Sequence, residues 1–277
     1  VSKVFSNNQS NTFVWRYASQ PLTVTSLSAA QDTTGITISR SGKTNISVLW
    51  VNVQFSEKVF RFDESFITAN NCKITRVTGS NSTYSVKLRT IALGAASISI
   101  ISDPSKDIAI GKGIRKHIDS GDLTFDWIYD DTRPEVTITS SQSSGVTNNL
   151  SYVDLSFALS EVATDFDISS ITLTGDASLS DVAGSGQDYF VRVTPTAGVS
   201  TVITALVADN AFTNVTGSGN TASSSFVWNY DGVAPTIEIT SPDVTSGGSS
   251  SEPSVDVYFV PSKDVVDFLT LNNAVVT

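Results

Sequence analysis

Apolar and polar residues alternate with a period of two along most of the chain, and no stripe of 3.6-residue period interrupts them. Such alternation puts every second side chain on one face, the pattern of a half-buried β-strand. In the run Phe226-Val-Trp-Asn-Tyr-Asp231, the residues Phe226, Trp228 and Tyr230 share one face, while Val227, Asn229 and Asp231 share the other. Clusters such as Ser143-Ser-Gly145, Gly184-Ser-Gly186 and Gly217-Ser-Gly219 punctuate the alternation as turns. Short strands at intervals of about ten residues predict an all-β chain of two-sheet antiparallel sandwiches.

The alternation also repeats at long range. Phe-x-Trp-x-Tyr followed by Pro occurs as Phe13-Trp15-Tyr17-Pro21, Phe125-Trp127-Tyr129-Pro134 and Phe226-Trp228-Tyr230-Pro235, with copies about a hundred residues apart. Each Pro leads into an alternating strand that ends in Ser: Leu22–Ser26, Glu135–Ser140 and Thr236–Ser241. Ser56-Glu57 stands before Phe62 as Ser160-Glu161 stands before Phe166, and Ser262-Lys263 before Phe268. Tyr84-Ser-Val-Lys-Leu88 matches Tyr189-Phe-Val-Arg-Val193, and the strand Ser97–Asp103 matches Thr201–Asp209. The constant order of these landmarks sets the boundaries. Residues 1–17 read as the last strand of a preceding module, 22–129 as module one, 135–230 as module two and 236–277 as the first half of a third. Such boundaries imply a stretch of a longer linear array. Three large aromatics on one face are expected to fill the space between two sheets, each burying ~150–250 Å², rather than to form a carbohydrate platform.

These elements resemble the bacterial-type Ig-like repeats of giant extracellular surface, adhesin and fibre proteins. The matching features are the Asp-x-x-x-Pro joint (Asp130 to Pro134, Asp231 to Pro235), the Val/Ile-x-Ile-Thr-Ser strand after it, the Ser-Glu-x-Val turn near Phe157–Val162, and the Ala208-Asp209-Asn210-Ala211 strand end. The resemblance implies tandem Ig-like sandwiches in a linear array, exported to the cell surface or beyond, serving as rod, adhesive stalk or filament wall. Expected partners are other copies of the chain, neighbouring modules or glycans. The alternative is a partner- or carbohydrate-binding accessory segment of a larger exported enzyme.

Some arrays of this family bind calcium at their joints. The oxygen-bearing candidates are Asp209 with Asp231, and Asp103 with Asp130 and Asp131. The family's Asp-x-Ala-Gly-Asn loop is not kept here, and the joint Tyr17-Ala-Ser-Gln-Pro21 has no carboxylate, so a site at every joint is excluded. The competing reading makes these turn residues that bond local backbone.

Trp50 aligns with Asp154 and Asp256 and points outward, either beneath the longer module-one loop at 104–121 or as a contact for another chain or a glycan. That loop carries Lys106, Lys112, Arg115, Lys116 and His117 on an otherwise acidic chain. With Trp50, the residues Lys112, Arg115 and Lys116 are the candidate partner contacts; a solvated loop is the plainer reading. Sequons at Asn8, Asn45, Asn81, Asn149 and Asn214 permit glycosylation in a eukaryotic secreted protein, although composition alone supplies nearly as many.

Composition narrows the classes further. Hydrophobic residues make up 40% of 277, enough to build cores. Lys and Arg total 17 against 27 Asp and Glu, a net charge of −10, which argues against nucleic acid and anionic lipid as partners. One Cys and one His exclude zinc clusters, disulfides within the chain and most His-based catalysis. Cys72 and His117 lie on unrelated segments, and no carboxylate pair stands out for glycosidase chemistry, so no enzyme is expected. Cys72 reads as a buried thiol or one that pairs with another chain. The most apolar stretch, Ile91–Ile101, is broken by Gly94, Ser97 and Ser99, and is shorter than the ~20 residues that span a bilayer.

Overall fold

The computed structural model describes residues 2–5, 13–16, 20–31, 36–103, 105–111, 114–121 and 123–266. Among them the only helical elements are two 3₁₀ turns, Glu64–Phe66 and Ile168–Ser170, so the protein is all-β. It falls into two compact units. The first is Val1–Pro134 with Glu161–Asp165 and Phe212–Asn220, and the second holds the remaining residues.

In the first unit a four-stranded sheet runs Lys43–Thr44, Thr124–Tyr129, Gly94–Ile100, Ile67–Asn70. The facing sheet contains Leu22–Gln31, Val48–Phe55, Thr83–Thr90 and Cys72–Ser80 in that order, with Ile114–Gly121 and then Asp107–Gly111 added beyond Leu22–Gln31. The second unit repeats both orders. Thr147–Asn148, Phe226–Asp231, Ser200–Val207 and Ile171–Thr174 form one sheet, and Val136–Ser140, Val153–Leu159, Asp188–Pro195 and Ala177–Leu179 form the other.

Period two governs burial. Leu49, Val51, Val53 and Phe55 are buried along one strand, and Val153, Leu155, Phe157 and Leu159 along its counterpart. In the first unit one continuous core joins the Val48–Phe55 face to Phe125 and Trp127 on the other sheet. Phe226, Trp228 and Tyr230 are buried as the alternation predicts, and Tyr129 is half-buried. The side chains of the first copy, Phe13 to Tyr17, lie outside the described residues; its backbone at Phe13–Arg16 pairs antiparallel with Ser2–Phe5.

The remaining landmarks converge at one end of each sandwich. Phe62 meets Phe55 at 5.1 Å and Tyr84 at 5.3 Å between ring centroids. Phe166 meets Phe157 at 5.8 Å and Tyr189 at 4.5 Å. Edge and tilted contacts of this kind add to the stabilisation from burial alone. After each Phe an Asp caps a 3₁₀ turn: Asp63 accepts from the Ser65 amide and Asp167 from the Ser169 amide. Opposite each Tyr stands a glycine with positive φ, Gly79 against Tyr84 and Gly184 against Tyr189. A Cβ on Gly184 would lie 2.2 Å from the Asp188 carbonyl oxygen, so the strands close only over glycine.

The landmark serine is a repeated clamp. Ser56 Oγ accepts from the Thr23 amide at 3.1 Å while its own amide donates to the Thr23 carbonyl at 2.9 Å. Ser160 does the same with Glu135, and Ser262 with Thr236. Each clamp pins the strand that enters a sandwich to the end of its neighbour. Phe268 lies outside the described residues.

The two buried tryptophans differ in one bond. Trp228 Nε1 donates to Asn148 Oδ1 at 2.9 Å, whereas Trp127 Nε1 is buried without a hydrogen-bond partner. Asn148 pairs with Tyr230 as Thr44 pairs with Tyr129, so Thr44 stands where the missing acceptor is needed. Asn148→Thr is therefore expected to cost the second unit ~1–3 kcal/mol in urea unfolding. Thr44→Asn is expected to stabilise the first unit by ~1 kcal/mol, a value at the level of one satisfied hydrogen bond.

Candidate functional site

On the outer face of the first unit, the strand that buries Leu49, Val51 and Val53 turns Trp50, Asn52 and Gln54 the other way. Trp50 is half-buried there, and the ammonium of Lys87, directly across the ladder, lies 5.3 Å from its ring centroid. Below it Asn52 Oδ1 accepts from Ser85 at 2.6 Å, and Gln54 Oε1 accepts from Thr83 at 2.7 Å. The same cross-strand position in the second unit holds Asp154 and Arg192, joined by two bonds of 2.7 and 2.9 Å. That guanidinium also stacks 3.6 Å over Tyr152. The bidentate pairing holds the Asp154 carboxyl below the usual carboxylate range.

Among its described residues, the basic segment at 104–121 does not lie beside Trp50, and it is mostly strand rather than loop. Asp107–Gly111 and Ile114–Gly121 are paired strands, and the second adds to the sheet at Leu22–Val24. Trp50 sits opposite Ala30, at the far end of that same strand. The cluster is also engaged internally. Lys116 bonds Glu57 and the Gln20 carbonyl with its side chain largely buried. Arg115 bonds the Asp107 carbonyl, and Lys106 the Ser65 carbonyl. Lys112 lies outside the described residues. The reason is topological: extra residues beside an open sheet edge satisfy their backbone by extending that sheet.

The candidate calcium ligands each have a nearby partner. Asp103 accepts from the amide and hydroxyl of Ser105, and Asp130 from those of Thr132, which holds both carboxyls below their ordinary range. Asp131 accepts from the Tyr129 hydroxyl at 2.8 Å, which pushes that phenol up. Asp209 accepts from Asn210 at 2.7 Å. Asp231 takes two bonds of 2.9 Å from Lys263, which lowers its carboxyl. Among the described residues no group of three or more His, Cys, Asp or Glu side chains is gathered as a metal would need.

The segment 212–220 is tied to the Asp130–Pro134 joint and to Glu161, in roles that the sequence analysis did not assign to these residues. Asn214 Nδ2 donates to Glu161 and to the Thr132 carbonyl, and its Oδ1 accepts from Thr216 and Ser218. Arg133 donates to the Gly219 and Asn220 carbonyls. Asn220 Oδ1 accepts from the Phe212 amide at 3.0 Å. The available signal was the second half of the Ser-Glu landmark, since Glu57, Glu161 and Lys263 each tie down a distant segment: Lys116, Asn214 and Asp231 respectively.

This network corrects one sequon. Asn214 is 2% exposed with its amide nitrogen engaged, so the folded chain offers no acceptor there. Asn81 and Asn149 are exposed, Asn45 is half-buried and Asn8 lies outside the described residues. Cys72 is buried, with Sγ 3.5 Å from the Ser97 carbonyl oxygen.

The paired four-stranded orders, the buried aromatic strand and the serine clamp now stand together. Residues 130–230 match the family model of the bacterial Ig-like domain. The first unit contains the same two four-strand orders as this Ig-like segment, with Ile114–Gly121 and Asp107–Gly111 added at one sheet edge. The match marks a module of structural or adhesive type, a type common in surface proteins. No curated protein matches the chain. No helix among the described residues is long and apolar enough to cross a membrane.

Burial pushes the Cys72 thiol up to about 11. Iodoacetamide at pH 8 is expected to label Cys72 at least ~100-fold more slowly than an exposed thiol, because the thiolate is the nucleophile. Labelling should accelerate as pH rises toward that value, and should become fast once urea unfolds the chain.

Proposed function

We propose that this chain is a structural or adhesive segment of a long extracellular protein, whose Ig-like sandwiches act as spacers in a rod, stalk or filament wall and make lateral contacts through their outer faces. The observation that supports this reading is the use of the repeat's own signature. Its aromatic face, its serine clamp and its Asp-capped turn all serve folding, so what recurs along the chain is a scaffold. No catalytic chemistry is assigned to it. Outer faces are free to differ, and Trp50 over Lys87 is the lateral contact that this reading selects.

A second reading, a glycan- or partner-binding accessory segment of an exported enzyme, is favoured by the same half-buried Trp50 beside Asn52, since an aromatic flanked by polar side chains suits a sugar face. Calcium has no required part in either reading. Trp50→Ala is expected to cost ~1–2 kcal/mol through the lost cross-strand contact with Lys87, leaving the fold intact while weakening attachment to cells or to neighbouring chains. Retention of full attachment by this variant would remove Trp50 from the contact surface. Glycan-array binding that is lost in Trp50→Ala would favour the accessory reading over the spacer.

Excess EDTA is expected to leave both the melting temperature and the hydrodynamic length unchanged. A drop in either on chelation, reversed by added calcium, would restore the joint carboxylates as ligands.

A further inference from the structure

Around Trp50 the outer face of the first unit gathers cations. Between Cys72–Ser80 and Thr83–Thr90, Lys73 stands opposite Arg89 and Arg76 opposite Lys87, and Lys87 in turn stands opposite Trp50. Lys73, Arg76 and Arg89 are exposed, and Lys87 is half-buried with its ammonium near the indole. The cross-strand neighbours Asn52, Ser85 and Thr78 that continue this face are neutral. Among the described residues none of the four cations forms an ion pair. Like charges directly opposite each other in a ladder are destabilising, so this sheet keeps an uncompensated positive face on a chain whose net charge is −10.

The second unit carries the complement on the corresponding sheet. Asp154 and Asp188 lie at outward positions of Val153–Leu159 and Asp188–Pro195, and Asp176 and Asp181 flank the strand Ala177–Leu179; all four are exposed. Arg192 is the only Lys or Arg between residues 135 and 230, against nine Asp and Glu. Its guanidinium is held by Asp154, and Asp176, Asp181 and Asp188 form no ion pair among the described residues. On the same face, two residues from Asp188, the ring of Phe190 is 51% exposed. Each unit therefore presents an aromatic set among charges of one sign, and the signs are opposite.

We propose that the basic outer face of the first unit, Trp50 with Lys73, Arg76, Lys87 and Arg89, docks on the acidic outer face of the second unit in another copy of this chain. Each copy brings one face of each kind, so the contact joins unlike surfaces. Opposite potentials speed the encounter and select the register, while Trp50 and Phe190 supply the apolar contact. A single exposed ion pair contributes little, so the association draws on the whole face and is sensitive to salt. The inference rests on the spacer reading and names the partner for its lateral contact.

Sedimentation velocity of the 277-residue chain tests this. Species heavier than one chain are expected to grow with concentration at low salt. They should recede as the Debye length shortens from ~10 Å at about 0.1 M salt to ~3 Å at about 1 M. The double variants Arg76→Glu/Arg89→Glu and Asp181→Lys/Asp188→Lys are each expected to weaken association at least tenfold. An equimolar mixture of the two should associate again, because each reversed face then meets a face of opposite charge. The melting temperature should not fall in either variant, which separates lost association from lost folding. A chain that stays monomeric at low salt, association that survives reversal of Arg76 and Arg89, or a mixture that fails to associate would overturn the proposal. So would a monomer that binds the polyuronate alginate and loses it in Arg76→Glu/Arg89→Glu, which would give the basic face to an anionic glycan. None of these outcomes touches the spacer reading, whose own test is the attachment of Trp50→Ala to cells.

Discussion

A β-sheet with one apolar face must be covered, and in this protein that requirement is met by a strand of alternating aromatics. Phe125 and Trp127 in the first unit, and Phe226, Trp228 and Tyr230 in the second, are buried side chains on strands of the four-stranded sheet. Their size sets the scale of each core, since a buried aromatic removes more apolar area from water than any aliphatic neighbour. The other recurring features serve this closure. The serine clamp holds the entering strand at the sheet's end, and Gly79 and Gly184 let a neighbouring strand approach Tyr84 and Tyr189.

Polar chemistry in the structure is mostly devoted to fixing segments that the sheets do not hold. The residue after the clamp serine reaches out in all three copies: Glu57 to Lys116, Glu161 to Asn214, and Lys263 to Asp231. The third copy reverses the charge and finds an acid, so position and reach persist while sign does not. In the second copy the partner is neutral, and the buried amide of Asn214 also organises Thr216 and Ser218. Buried polar groups satisfied in this way specify one loop conformation. Carboxylates at the strand ends, such as Asp103 and Asp130, bond hydroxyls and amides two residues on, the ordinary behaviour of Asp in turns.

Much of the fold was legible because alternation is a local property. The inner faces of Val48–Phe55 and Val153–Leu159, and the aromatic strands, follow directly from period two. The outward position of Trp50 followed from the same count. Pairing of distant segments was not legible in this way. The run 104–121 reads as a loop because nothing local shows that an open edge at Leu22–Val24 will accept it as strands. Burial of Asn214 inside a sequon was equally hidden, since it depends on Thr132 and Glu161, both remote in the chain. The single-bond difference between Trp127 and Trp228 depends on a two-residue strand, Lys43–Thr44 or Thr147–Asn148, too short to carry a period.

The outer faces show where such a scaffold is free to vary. At one cross-strand position the first unit sets Trp50 against Lys87, and the second sets Asp154 against Arg192. The inner residues on either side of that position, Leu49 and Val51 or Val153 and Leu155, remain buried and apolar. A strand can exchange an indole for a carboxylate on its solvent side without disturbing the core, because successive side chains point to opposite faces. Changes on the solvent side therefore fall on a set of positions separate from those that close the sandwich. The partly exposed aromatic over a cation belongs to the first set, and the buried aromatics that define the repeat belong to the second.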